Sequence, residues 1–266
     1  MVTGPAGTPR RAPAVLLCPG MGEGAETWDR LVPLLAGAVT VLDRAAGGPS
    51  PTLAGEVARI AVLAGDRVPV LVAHSAGALA AEAYARLRPG RVAGLVLVDP
   101  SVVEPGTTGR LRAATARLLT AGTPVLAGAL DRAGLPGRFG PWAWRRAARR
   151  MGEGPPDPVH AVAYGRPTVL VRLMVEWLAH PALAAELVLL RERTAAPAVP
   201  VRVLTALGDL GSARGRATWR TAHARLAESF PAGRQEVLRD ARHLVHRDHP
   251  GVVATAITAV GRDSGS

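Results

Sequence analysis

Val68-Pro-Val-Leu-Val-Ala-His-Ser-Ala-Gly-Ala-Leu-Ala-Ala-Glu82 is the stretch that decides how this chain folds. Its first half, Val68–Ala73, is an apolar run rich in valine, as expected of a strand buried on both faces of a parallel sheet. From Ala76 onward the residues are mostly alanine and leucine, which suit a helix. Between the two, Ala73-His74-Ser75-Ala76-Gly77 must turn sharply. Small residues two positions either side of Ser75 let strand and helix approach closely. The bend holds the serine hydroxyl out at a helix N-terminus, whose unpaired N–H groups favour a developing negative charge. A serine that merely caps a helix has the same local string, so the reading depends on the rest of the chain.

Working outward, short apolar runs alternate with amphipathic stretches. Strands are expected at Ala14–Cys18, Val39–Leu42, Val68–Ala73, Val92–Val98, Val201–Ala206 and Gln235–Leu238. Helices are expected at Thr27–Leu35, Leu53–Leu63, Ala76–Leu87, Gly215–Glu228 and Pro250–Val260, with Thr27 capping the first and Trp28, Leu31, Leu34 and Leu35 forming its apolar stripe. This alternation is the signature of parallel strands joined by crossover helices. It breaks between Ser101 and Pro200, where helical patterns follow one another and the clusters Gly134–Pro141 and Gly152–Pro158 mark loops. The chain therefore divides into a first core part (1–100), a helical insertion (101–199) and a second core part (200–266). A length of 266 residues suits one such domain.

Composition narrows the function classes. Hydrophobic residues make up 48% of the chain but gather into no long apolar span, so no membrane segment is expected. The apolar run after Arg10 and Arg11 stops at Pro19, too short for a secretory signal. Cys18 is the single cysteine, which rules out an intrachain disulfide and makes a cytoplasmic location the expectation. The net charge of +11 comes entirely from arginines, with no lysine, scattered among alanine, glycine and proline. That dispersal argues against a nucleic-acid partner. The one dense patch, Arg145, Arg146, Arg149 and Arg150, reads as a solvated helix face. Neither Gly20–Gly24 nor Gly47–Gly48 forms a phosphate-binding loop.

The strand–turn–helix at Ser75 resembles the nucleophile elbow of the α/β-hydrolase superfamily, usually Gly-x-Ser-x-Gly, with Ala73 in place of the first glycine. The resemblance extends over nearly the whole chain apart from the insertion. It implies a three-layer α/β-hydrolase fold: a mainly parallel sheet of about six strands flanked by helices, with a helical cap insertion. Ala241-Arg-His-Leu-Val-His-Arg-Asp-His-Pro250 is similar to the family segment in which a histidine follows the last strand and a proline stands seven positions later, which implies His243 as general base. His246 and His249 then read as structural or surface residues. Three histidines raise the question of a metal, but their spacing lacks a carboxylate-and-histidine helix motif, so no metal or other cofactor is expected.

Val201-Arg-Val-Leu-Thr-Ala-Leu-Gly-Asp209 resembles the family segment whose strand ends in a loop carrying the acid. The resemblance thus implies a triad in the order Ser75, Asp209, His243. Asp99 is the alternative acid, because some families of this fold place it after the earlier strand; an Asp-Pro pair is also a frequent strand terminator. The implied oxyanion hole uses two backbone N–H groups, from Ala76 and from Met21 in the loop Cys18-Pro-Gly-Met-Gly22, where Pro19-Gly20 replaces the usual His-Gly. Trp28 and Trp219 fall on helical stripes and read as core, while Trp142, Trp144, Tyr164 and Trp177 lie in the insertion and could pack within it or touch substrate.

The implied activity is cleavage of an ester or thioester of a small molecule through an acyl-enzyme on Ser75. Two alternatives share the fold: a lyase or cofactor-free oxygen-using enzyme that relies on the His–Asp pair, and a non-catalytic ligand-binding protein. Haloalkane and epoxide hydrolysis on this fold use an aspartate nucleophile, whereas position 75 is serine. The substrate and the oligomeric state stay open at this point.

Overall fold

The structure, a computed structural model, describes residues 13–43, 52–102, 115, 118, 122–134, 142 and 167–264. Its centre is a six-stranded sheet in the order β2-β1-β3-β4-β5-β6, from β1 (Val15–Cys18), β2 (Val39–Val41), β3 (Val70–His74), β4 (Gly94–Val98), β5 (Val201–Ala206) and β6 (Gly233–Leu238). Every pairing is parallel. The central strands β3 and β4 are buried along their whole length because both faces of the sheet are covered, which explains why they are apolar apart from the terminal His74 of β3.

Side chains alternate between two cores, as the two-residue period of a strand requires. Leu16, Cys18, Leu71, Ala73, Leu95 and Leu97 point to one side and pack with α1 (Leu53–Ala64) and α2 (Gly77–Leu87). Val15, Leu17, Val70, Val72, Val96 and Val98 point to the other, against Trp28, Leu31 and the final helix, α7 (Pro250–Asp263). The remaining described helices are α3 (Thr123–Arg132), α4 (Pro167–Arg193), α5 (Ala213–Glu228) and the short α6 (Val245–Asp248). Thr52 caps α1 and Ser212 caps α5, each accepting a backbone N–H three residues on.

Two expectations need correction. Residues 27–35 do not form one α-helix: they form two 3₁₀ turns, Ala25–Trp28 and Val32–Leu34, and Thr27 donates its hydroxyl to Gly24 O rather than capping. Pro33 is the physical reason, since an α-helix through it would lose an N–H donor and clash with the preceding turn. Trp28 and Leu31 are still fully buried, while Leu34 is exposed. The second concerns the insertion. The segment Val171–Arg193 is long and apolar enough to cross a membrane by length and composition, with a mean hydropathy of 1.5. In the structure α4 lies along the α/β core: Val171, Val175 and Leu187 are buried, Glu186 accepts from Leu53 N–H at 3.0 Å, and Arg191 forms a two-pronged ion pair with buried Glu82 at 2.6 and 2.7 Å. The arginine cluster at 145–150, Trp144 and Tyr164 lie outside the described residues; Trp142 and Trp177 are exposed.

Candidate active site

The elbow forms where β3 ends at His74. Ser75 sits at φ +48°, the left-handed conformation that side chains rarely adopt, and is held there by its N–H on Val98 O and by Ser101 N–H on its own carbonyl, both at 3.0 Å. Gly77 is required two residues later because a Cβ there would stand 2.6 Å from Pro19 O and 2.7 Å from Cys18 O, inside the end of β1. The helix α2 thus starts pressed against the neighbouring strand, and the hydroxyl of Ser75 is left at the C-terminal edge of the sheet, where ligands bind in open α/β folds.

His243 reaches Ser75 from the loop between β6 and α6. Its Nε2 lies 3.1 Å from Ser75 Oγ, and its Nδ1 lies 2.6 Å from Asp99 Oδ2. A carboxylate oxygen can only accept, so Nδ1 carries the proton and Nε2 presents its lone pair to the serine hydroxyl. Burial by itself would depress the His243 pKa. The hydrogen bond and charge of Asp99, helped by the charges of Glu23 and Asp209, outweigh that effect and hold it above 6.5.

The expectation that Asp209 orients the imidazole is therefore corrected in favour of the alternative, Asp99. The two carboxylates arrive from adjacent strands, β4 and β5, and both reach His243, but at different atoms. Asp209 Oδ2 accepts the backbone N–H of His243 at 3.2 Å, brought there by the close approach of Gly208, whose N–H donates to Ala241 O at 2.7 Å. Asp99 meets the ring. It is 3% exposed and sits at φ +40°; among the described residues, Ser75 and Asp99 are the non-glycine residues with positive φ.

The other oxygen of Asp99 is fixed by two donors, Ala206 N–H at 3.0 Å and Trp219 Nε1–H at 2.8 Å. Trp219 is thus a partner of the acid, a role that its helical spacing concealed. Behind it, fully buried His223 donates from Nε2 to Pro100 O at 2.9 Å and faces Thr205 Oγ1 through Nδ1 at 3.0 Å. Burial keeps the His223 pKa below its ordinary value despite nearby Asp99, so it serves as a neutral brace for the Asp-Pro turn.

Met21 lies in the loop after β1, between two amides that are already engaged. Gly20 N–H donates to Glu23 Oε2 and Gly22 N–H to Glu176 Oε2, both at 2.8 Å, so side chains occupy the amides on either side of Met21. Neither Met21 N–H nor Ala76 N–H meets an acceptor among the described residues. Glu176 comes from α4 and is paired with Arg172 at 2.9 Å, which ties the insertion to this loop.

Three side chains that sequence reasoning did not single out as a group lie beneath the imidazole. His74 Nδ1 is 2.6 Å from Glu23 Oε1 and His74 Nε2 is 2.9 Å from His243 O. The carboxyl of Glu23 is held down to about 2: burial opposes ionisation, but the charge and close contact of His74 prevail. His246 is fully buried, stacks on Trp28 at 4.2 Å, and has no hydrogen-bond partner at either ring nitrogen among the described residues. Donor atoms of Glu23, His74 and His246 lie within 4.8 Å of one another. A metal with bonds of about 2.1 Å would hold its ligand atoms roughly 3 Å or more apart, so the 2.6 Å His74–Glu23 contact is too short for two ligands of one metal and is that of an ion pair. His249 is partly exposed at the start of α7.

The arrangement agrees with what the chain is similar to. Residues 15–256 match the model of the family described as Alpha/beta hydrolase family. Among solved structures, an inferred ancestral haloalkane dehalogenase superposes with a TM-score of 0.61 at 17% identity, covering 96% of this chain and 93% of that one. A protein of Nostoc sp PCC 7120 described as an alpha/beta hydrolase gives 0.62 at 20% identity over 93% and 90% of the two chains. The N-formylmaleamic acid deformylase of Pseudomonas putida S16 gives 0.58 at 19% identity over 92% of each. At these identities the likeness is one of fold. Among curated proteins no sequence matches.

Proposed function

The chain belongs to the alpha/beta hydrolase family, and from that premise we propose that it is a serine hydrolase that cleaves an ester or thioester of a small molecule through an acyl-enzyme on Ser75. One observation carries the reading: the hydroxyl of Ser75, the imidazole of His243 and the carboxylate of Asp99 form a continuous chain of contacts at 3.1 and 2.6 Å. Position 75 is serine, so the aspartate-nucleophile chemistry of haloalkane hydrolysis is not the reading that this site supports.

The steps follow from the geometry. Neutral His243 takes the Ser75 proton at Nε2 as Oγ attacks the carbonyl carbon. The imidazolium so formed is stabilised by Asp99, and the oxyanion of the tetrahedral intermediate accepts from the N–H groups of Met21 and Ala76. Collapse breaks the bond to the leaving oxygen or sulfur, which receives the proton from His243. Water then gives a proton to His243 and attacks the acyl-enzyme, and the same sequence in reverse releases the acid and restores the Ser75 hydroxyl.

The test is a fluorophosphonate probe followed by peptide mapping, with a screen of acyl-chain lengths and leaving groups on wild type beside Ser75→Ala. The expected result is labelling at Ser75 and ester or thioester turnover that Ser75→Ala abolishes. Folded protein that neither labels nor turns over any acyl substrate would remove the proposal. Turnover of another kind without a covalent intermediate would favour a lyase or oxygen-using reaction on the His–Asp pair.

A further inference from the structure

We propose that Glu23 and His74 are positioning residues for this reaction, a buried carboxylate–imidazolium pair that holds the Met21 loop and the backbone of His243 in one fixed relation. The inference rests on the serine-hydrolase reading and adds two residues to it. Neither touches the reacting atoms.

The protonation state follows from the neighbours. His74 faces an oxygen at each ring nitrogen, the backbone carbonyl of His243 at 2.9 Å and the carboxylate of Glu23 at 2.6 Å. Both oxygens are acceptors; Nε2 makes a hydrogen bond, while the Nδ1 contact is one of charge without hydrogen-bond alignment, and a ring with no proton there would set a lone pair beside a carboxylate oxygen at contact distance. His74 is 1% exposed, and a buried imidazolium is stable only beside such a partner.

The pair joins three segments that the sequence keeps far apart. Glu23 holds Gly20 N–H with its second oxygen at 2.8 Å, closing the turn on which Met21 N–H is presented. His74 is the residue directly before the nucleophile and reaches across to the carbonyl of the general base, its ring tilted against that of His243 at 4.6 Å. Gly20 fits beneath both, since a Cβ there would stand 2.9 Å from His74 Nδ1 and 3.1 Å from Ser75 Cβ. His243 is thus gripped at three points: N–H by Asp209, C=O by His74 and Nδ1 by Asp99. Releasing the carbonyl frees the base to shift by a fraction of its hydrogen-bond length, and misplacement of about 1 Å can cost roughly 100-fold in rate.

The experiment compares Glu23→Ala, Glu23→Gln, His74→Ala and the double alanine variant with wild type in the full chain. Steady-state kinetics and fluorophosphonate labelling rates are read alongside thermal melting and circular dichroism. Expected in folded Glu23→Ala is a fall of about 100-fold in kcat with KM within about threefold. Glu23→Gln should recover to within about fivefold of wild type, because its amide accepts from Gly20 N–H and donates to Nδ1 of a now neutral His74. The double variant should cost no more than the worse single one, as expected for groups acting as a unit. Imidazole nitrogen NMR gives a readout that needs no turnover: His74 should carry protons on both ring nitrogens in wild type and on Nε2 alone in Glu23→Gln.

A folded Glu23→Ala with unchanged kcat, a loss confined to KM, or a neutral His74 in wild type overturns the proposal. Stoichiometric zinc in purified wild type that Glu23→Gln releases would replace it with a metal site. Failure of the serine-hydrolase reading is a separate result, since it appears as wild type without turnover or labelling while the NMR arm still decides the state of His74. Should the alanine variants fail to fold, Glu23→Gln and the NMR arm carry the decision.

Discussion

Replacing Asp99 by asparagine should nearly abolish turnover, and the structure dictates how. The Oδ1 atom of Asp99 already accepts two hydrogen bonds, from Ala206 N–H at 3.0 Å and Trp219 Nε1–H at 2.8 Å. In Asp99→Asn the amide oxygen must stay with those two donors, because turning the amide over would set its NH₂ against both. The NH₂ then faces His243 Nδ1 across the present 2.6 Å contact. To avoid two opposed donors, the imidazole gives up the Nδ1 proton and carries it on Nε2, where it points at Ser75 and cannot accept the hydroxyl proton. A base locked in the wrong tautomer costs about 10⁴-fold in kcat, or roughly 5.5 kcal/mol of barrier. Asparagine tolerates the left-handed φ of position 99, so the fold should survive.

Asp209→Asn is the matched control. Its side-chain oxygen can still accept His243 N–H, a long bond at 3.2 Å, and the expected loss is within about threefold. The assay is kcat and KM on one ester for both variants, with melting temperatures to certify folding. An active Asp99→Asn beside an inactive Asp209→Asn, both folded, would refute the assignment of the acid and the tautomer argument together.

The remaining predictions concern pH. The raised pKa of His243 means that its neutral, proton-accepting form predominates only at higher pH, so kcat/KM should rise through an apparent pKa above 6.5; a limb at or below that value in a pH–rate profile would contradict the geometry around Asp99. His246 is held neutral, its pKa pushed down to about 3 chiefly by burial and then by His74, with Glu23 opposing. The unfolded chain takes up that proton below about 6.5 while the folded one does not, so stability is lost as pH falls through the interval, at up to about 1.4 kcal/mol per unit. His246→Phe keeps a ring against Trp28 and does not titrate. Denaturant unfolding should therefore show wild type losing roughly 2 kcal/mol more than the variant on going from neutral pH to about pH 5; equal losses would show that His246 is not the group responsible.

Much of the fold could be read from the chain because strands buried on both faces must be largely apolar: β1 and β4 are so throughout, β3 up to His74, and β5 apart from half-buried Arg202 and buried Thr205. The elbow was legible for a related reason: Ala73 and Gly77 are small where backbones meet, and Gly77 lies against the carbonyls of Cys18, the last residue of β1, and of Pro19. His243 came from its distance to Pro250, which opens α7. The turn at Val32–Leu34 departs from the helix that the apolar spacing of Trp28, Leu31 and Leu35 implies, because Pro33 decides the local backbone. Glu23, His74 and Trp219 had no legible signal as site residues. Each acts through a partner from another strand or helix, and no spacing along the sequence encodes which ring faces which oxygen.

The choice between Asp99 and Asp209 shows the same limit. Both follow a strand, both carry the right charge, and both contact His243, so residue type and position could not separate them. The difference lies in the backbone. Asp99 takes up φ +40°, and the carboxylate, held at one oxygen by Ala206 and Trp219, presents the other to the ring. Asp209 lies one strand further along the sheet, where Gly208 pulls its loop against Asp240 and Ala241 and brings its carboxylate to the amide of His243. Strain at Asp99 and at Ser75 is thus matched across neighbouring strands: Ser75 N–H bonds the last residue of β4, Val98, and Ser101 N–H bonds Ser75 in return. Each unfavourable backbone is held by the other's turn, so relaxing either should displace both the nucleophile and the acid, and the two distortions form one structural unit.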